Sequence, residues 1–314
     1  MLARVANDLF WMGRYIERAE HTARFLNVNY FSSLDAPNML SQSRPFVLNS
    51  VYGMVDDRVE DESTLIEEEV IYNVGLNPEK LYSILSCIKA ARQNANNARD
   101  LISTEFYEAL NKFYHFVMNY PKDKLVKNGL YDFTTTVTEN TAILRAKIRG
   151  TIFHNEIYAL ILLGINIERA TQITRIIQTK LHDAEKAISS YSKPIKNSYE
   201  WTTLLKCAES YDMMRGLNRR TPSQLSTLEF LILNPNCPRS VMNSLNQTYA
   251  HICQIGGNNI NNLNSSAFLI GKMRAEYQFK TISEIQQDVR KFIDDTLCCL
   301  MDISSKLEEE YFDY

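Results

Sequence analysis

The sequence predicts an all-α protein, a helical bundle of two related halves with an approximate internal twofold. Three observations lead there. Apolar residues recur at helical steps of three and four, which is the signature of helices that bury one face. Chain breakers are scarce, with 8 prolines and 10 glycines in 314 residues, which argues against a sheet-rich fold full of tight turns. One charged motif also occurs twice, about half a chain apart.

The first half reads as follows. Val5, Leu9, Met12, Ile16, Ala19, Ala23 and Leu26 form the apolar seam of a helix reaching about Tyr30. A looser stretch with Pro37 and Pro45 precedes helices near 45–55 and 62–75. Asn77-Pro78 is expected to open a helix to about Leu101, because proline lacks an amide hydrogen and fits a helical first turn. Ser103 or Thr104 caps the next, which ends before Pro121, and Phe133–Arg149 leads into the second half.

A helix near Phe153 opens the second half and is apolar on nearly all sides through Ile157, Leu160, Ile161, Leu162, Leu163 and Ile165. Such a helix belongs at the centre of a bundle. Helices are expected near 199–215, 223–233, 238–254 and 265–280, with an unbroken one from Ser283 to about Tyr311. Gly256-Gly257 and the run Asn258 to Asn264 form a connection inside this half. The halves, 1–150 and 151–314, are expected to make one compact unit at 45% hydrophobic content.

Composition removes several function classes. A net charge of -3, from 34 basic and 37 acidic residues, offers no polycation for nucleic acid. The acidic runs Glu67 to Glu69 and Glu308 to Glu310 read as solvated surface. The start lacks a basic stretch followed by an apolar one, and the longest uncharged apolar run, Ile157–Ile167, is too short for a bilayer, so no membrane partner and a cytoplasmic location are expected. Cys87, Cys207, Cys237, Cys253, Cys298 and Cys299 show no paired spacing and read as reduced, mostly buried thiols.

The repeat is Gly13-Arg-Tyr-Ile-Glu-Arg-Ala-Glu-His-Thr-Ala-Arg24 against Gly164-Ile-Asn-Ile-Glu-Arg-Ala-Thr-Gln-Ile-Thr-Arg175, with six identities at a constant offset of 151. Val74-Gly-Leu-Asn-Pro78 echoes Leu231-Ile-Leu-Asn-Pro235. Two copies of one unit are expected to bury both motif helices together, with Ala19 and Ala170 on the seams permitting close approach.

Glu17, Glu20 and Arg24 flank the first seam, with Arg14, Arg18 and His21 on the neighbouring outward side; Glu20 to Arg24 is the favourable i to i+4 order. The second copy keeps Glu168, Arg169 and Arg175 but has Thr171 for the second acid. Arg175 therefore needs a buried partner, and Glu17 and Glu168 are expected to accept from arginines of the opposite half. These charges either fix the register of two helices or line a cleft where surplus arginine binds a carboxylate or phosphate. Asn94 and Arg99, in a polar run from Arg92, could face the same cleft, and Arg239 at a helix start should pair with an acid or an anion. Glu-x-x-His, His-Glu-x-x-His, the phosphate-loop pattern and Gly-x-Ser-x-Gly are all absent, and Glu17 with His21 supplies only two ligands, so neither a metal nor a cofactor is expected.

The stretch Met1 to Arg24, the run Ala91-Arg-Gln-Asn-Ala-Asn-Asn-Ala-Arg99 with its continuation to Glu105, the second Ile-Glu-Arg-Ala at 167–170 and Pro238-Arg-Ser-Val241 closely resemble the bacterial alpha-E domain family. That family is all-helical and of unknown function. The resemblance implies company: an ATP-grasp amide-forming ligase and often a transglutaminase-like protein. It carries over Arg14, Glu17, Arg18, Glu20 and Arg24, then Glu168, Arg169 and Arg175, while Thr171 departs from the usual acid.

The leading expectation is a helical partner of that ligase, holding a carboxylated or peptide substrate in an Arg and Glu cleft. The rival is a cofactor-free enzyme in which Glu17, Glu20 or Glu168 acts as acid or base with a raised pKa, and arginines clamp an anion. A purely structural protein is the third reading.

Overall fold

A computed structural model describes residues 2–36, 39–189, 198–217, 219–256 and 262–312, and among these all regular structure is helical. The first half runs α1 (Ala3–Ser32), α2 (Met39–Gln42), α3 (Arg44–Met54), α4 (Glu67–Gly75), α5 (Ile84–Asn97), α6 (Thr104–Met118), α7 (Lys122–Lys124) and α8 (Leu130–Thr151). The second runs α9 (Glu156–Ser189), α10 (Ser198–Cys207), α11 (Tyr211–Leu217), α12 (Gln224–Leu233), α13 (Val241–Ile255), α14 (Ser266–Gln278), α15 (Ile282–Ile285) and α16 (Val289–Leu307). Pro37 and the stretch 257–261 lie outside the described residues.

The two motif helices, α1 and α9, form the centre and pack along one another. α5 and α8 lean on α1 as α13 and α16 lean on α9, while α3 and α10 each touch both. Every residue of α9 from Ala159 to Thr174 is buried, as its all-round apolar character predicts. The surprise is α1, which reads as amphipathic but buries Asp8, Arg14, Glu17, Glu20, His21 and Arg24 beside its apolar seam. Arg14 and His21, expected outward, lie inside because a second layer of helices covers that flank.

Close approach falls at the motif glycines. A Cβ on Gly13 would collide with the carbonyl oxygen of Ile161 and sit 3.2 Å from the amide of Ile165. One on Gly164 would collide with the carbonyl of Phe10 and sit 3.3 Å from the amide of Arg14. Phe10 and Ile161, like Arg14 and Ile165, occupy equivalent places in the repeat, so the helices exchange the same contact in both directions. Ala19 and Ala170 are buried on the same seams, six residues further along.

Several boundaries differ from the sequence reading. Asn77-Pro78 makes a turn, and α5 starts only after Ser83, whose hydroxyl accepts from the Ser86 amide. The expected helix over 199–215 is two, broken at Glu209, and the expected final helix is broken between α15 and α16 and ends in a wider π turn over Glu308–Phe312. Neither break carries the glycine or proline that would announce it. Ser103, Ser223, Ser240 and Ser265 cap their helices through side-chain acceptance of a first-turn amide. Glu310 is not merely solvated: it accepts from the Ser266 amide and so closes the start of α14. Cys253, Cys298 and Cys299 are exposed rather than buried, and all six thiols are free.

The glycine crossing predicts opposite outcomes for one substitution. Gly13→Ala or Gly164→Ala gains about 1 kcal/mol of helix propensity but drives a methyl into a carbonyl that cannot move, so the melting temperature should fall markedly. Gly150→Ala, with open space around the new methyl, should raise it slightly. Thermal melts of the three variants compare the two.

Candidate functional site

The crossing at Gly13 and Gly164 brings the two Glu-Arg pairs into register. Glu17, fully buried, accepts from Arg169 Nε at 2.6 Å and Nη2 at 3.1 Å. Glu168, equally buried, accepts from Arg18 Nε at 2.6 Å and Nη2 at 3.0 Å, and from Arg14 Nε at 2.8 Å. Each motif carboxylate thus takes a two-pronged guanidinium from the other half, the pairing expected from the repeat. The ring of His21 meets Glu17 at 3.1 Å, and at the equivalent place Gln172 donates to Glu168 at 2.7 Å. The same offset recurs further along, where buried Lys180 donates to Asn29.

A second layer surrounds Glu20. Arg24 donates to it at 2.7 Å and Arg239 at 2.8 Å, and Arg145 of α8 also pairs with it. Glu209, just past α10, is gripped by Arg24 at 3.0 Å and by Arg239. Arg239 therefore meets acids at the start of α13, not a free space. Arg145 and Glu209 were not legible as site residues. Arg145 sits one position beyond the Val137, Thr141, Leu144 seam of its helix, and Glu209 lies in what reads as a helix interior.

Electrostatics make the centre a settled ion-pair network. Burial pushes the Glu17 carboxyl up, but Arg169, the His21 hydrogen bond and Arg239 outweigh it and hold the group well below the carboxylate range. Burial also raises Glu168, and Arg18 with Arg14 overrides that by a wide margin. Neither glutamate has the raised pKa that the acid-base reading requires. Burial pulls His21 down to about 4 despite Glu17, so it is neutral at pH 7.

Beside the network lies a groove of about 690 Å³ between α1, α9 and α16. Arg14, Arg18 and Arg175 reach it, together with Thr171, Gln172 and the aromatic rings of Trp11 and Tyr82. Arg14 and Arg18 are engaged by Glu168, and Arg14 also stacks over Trp11 at 4.6 Å. Arg175 is different: it is half-buried and makes no hydrogen bond or ion pair to the described residues. The structure corrects the expectation of a buried partner for Arg175: it lies half-buried on the side of α9 that lines the groove, whereas the equivalent Arg24 of α1 is buried and held by Glu20 and Glu209. Asp56 and Glu308 stand at the rim.

Asn94 and Arg99 do not reach this groove. Arg99 turns back on its own chain, donating to the Ile102 carbonyl at 3.4 Å and lying over Tyr107. Asn94 is half-buried on α5, away from the lining residues. Among the described residues no three His, Cys, Asp or Glu side chains cluster as metal ligands, and no helix is long and apolar enough to cross a membrane.

Fold and site together define a class: an all-helical bundle whose two central helices exchange Glu-Arg pairs. The chain belongs to the Alpha-E family, described as a predicted alpha-helical domain with a conserved ER motif, and the match covers residues 1–312. Glu-Arg occurs in this sequence only at 17–18 and 168–169, the two pairs at the crossing. No curated protein and no solved structure matches the chain.

Two outcomes follow from these charges. Glu168→Gln leaves Arg14 and Arg18 facing a neutral amide in a buried site, a loss of about 3–5 kcal/mol. The melting temperature should drop on the order of 10 °C; an unchanged melt would show that the pairing holds nothing together. His21 titrates near 6.5 when unfolded and at about 4 when folded, so the unfolded chain binds the extra proton between those values. Stability is complete above pH 6.5 and falls by about 3 kcal/mol as the pH drops to 4. His21→Gln, which copies Gln172, should flatten the His21 part of that fall in a series of denaturant melts.

Proposed function

We propose that the groove binds the carboxylate of a small acid or peptide, and that the protein presents it to an ATP-grasp amide-forming ligase. Arg175 carries this reading, as a guanidinium without a partner among the described residues, facing a groove large enough for several residues of peptide. Arg18, partly exposed and held in place by Glu168, supplies a second, pre-positioned donor edge. Asp56 and Glu308 at the rim suit the amino groups of the same ligand, and Trp11 and Tyr82 suit its apolar parts. The ligase, and with it a transglutaminase-like protein, enters through the resemblance to the family's usual company. A catalytic role for Glu17, Glu20 or Glu168 gains no support from their burial, since all three are closed off from solvent.

We also infer that the halves are related by an approximate internal twofold. The reciprocal contacts at Gly13 and Gly164, the crossed Glu-Arg pairs and the Asn29 to Lys180 bond between equivalent positions all support it.

Isothermal titration with a peptide carrying a free C-terminal carboxylate, and with its amidated twin, tests the groove. The free acid should bind at least about tenfold tighter, and Arg175→Ala should erase the difference without lowering the melting temperature. Equal binding of both peptides, or an Arg175→Ala protein that binds like the parent, would reject the groove as a carboxylate site. Co-purification with an ATP-grasp ligase from the source cell checks the partnership separately.

A further inference from the structure

Glu209 and Asp56 are the only non-glycine residues with positive φ among the described residues, at 54° and 63°. Each closes a helix in the same way. The amide of Asp57 reaches back to the Tyr52 carbonyl at 2.9 Å and that of Asp56 to Gly53 at 3.4 Å; the amide of Ser210 reaches Leu205 at 2.8 Å and that of Glu209 reaches Lys206 at 3.0 Å. This is the helix-ending motif in which glycine is the usual left-handed residue, and a side chain there costs about 1 kcal/mol or more. An acid nevertheless stands at this point in both halves, each near an arginine of the opposite half's motif helix: Glu209 against Arg24 of α1, and Asp56 in the groove that Arg175 of α9 also lines.

The two acids differ in reach. Asp56 makes no ion pair among the described residues and leaves Arg175 open, whereas Glu209, longer by one methylene, lies between Arg24 and Arg239. Arg24 and Arg175 are equivalent in the repeat. Around Glu209 the donors exceed the acceptors: Arg24, Arg145, Arg169 and Arg239 face Glu17, Glu20 and Glu209. Arg24, about nine-tenths buried, still has an Nη1 without a hydrogen-bond partner. Glu209 itself is half-exposed, so it can leave toward solvent without opening the core.

We infer that Arg24, Arg145 and Arg239 form a second carboxylate-binding site, and that Glu209 is its internal occupant, displaced when an external carboxylate binds. The chemistry of the ligand follows from the group that now fills the place. The site is closed because its rim acid is a glutamate, and the groove is open because its rim acid is an aspartate. The protein therefore carries two equivalent acid-binding places, one free and one shut by its own chain.

The inference stands apart from the groove and is tested with the groove disabled. In the Arg175→Ala protein, Glu209→Ala should lower the melting temperature in chloride, and acetate at the same ionic strength should restore it. Titration with acetate and glutarate should show binding at least about tenfold tighter than in the Arg175→Ala parent, and adding Arg239→Ala should abolish it. Glu209→Gln, which keeps the side-chain volume and removes the charge, gives the same readout if the alanine variant folds poorly. Inorganic phosphate in place of acetate distinguishes a phosphate site from a carboxylate site. Acetate acting no better than chloride, or equally on the parent, would overturn the inference; so would phosphate binding with no response to either carboxylate.

Discussion

The structure depends on one crossing: α1 against α9, backbone to backbone at Gly13 and Gly164. Only glycine admits that distance, because any Cβ on either helix would occupy the place of the other's carbonyl. Fixing the crossing there sets Glu17 opposite Arg169 and Glu168 opposite Arg18, and the two-pronged bonds then hold the helices in that register. A shift by one residue would bury four charges without partners, a far larger penalty than the pairs gain by forming. The network thus selects one arrangement of helices more than it adds stability.

The same logic separates architecture from binding. The residues that look most chemical in the motif, Glu17, Glu20 and Glu168, are spent on the interior, where arginines outweigh burial and keep Glu17 and Glu168 ionised. The arginine left over, Arg175, sits at the edge of the pair where α9 emerges into the groove. Stripping a carboxylate from water is costly unless donors are already oriented, and the proposed groove site has such donors in Arg14 and Arg18, which Glu168 holds in place. The buried carboxylate thus fixes the arginines that line the groove.

The copies agree most at the crossing, yet two of their differences there bear on the charges. Glu20 of the first is Thr171 in the second, and His21 is Gln172. With an acid at Glu20, the first side gathers Arg24, Arg145 and Arg239 and is filled by Glu209. With Thr171, whose hydroxyl bonds only its own helix at Ile167, the second side gathers no such cluster and a groove remains. The acid at Glu20 belongs to a closed charge cluster, and its counterpart Thr171 lines the groove.

Much of this was set by the sequence alone: helicity, the central place of α9, the repeated Glu-Arg motif, and the crossed pairing of Glu17 and Glu168, since periodicity and a constant offset can be read along the chain. The cap before α6 was legible as one of two neighbours, Ser103 or Thr104, and Ser103 fills it. The breaks at Glu209 and after α15 were not, because acids and amides there carry no mark of a turn that surrounding contacts impose. Nor could the sequence say that Arg239 and Arg145, from helices far along the chain, would converge on Glu20, or that Asn94 and Arg99 would turn away. Which charges are saturated and which are left facing water depends on how the outer helices cover the central pair. That is a property of packing over long sequence separations, and only the tertiary structure decides it.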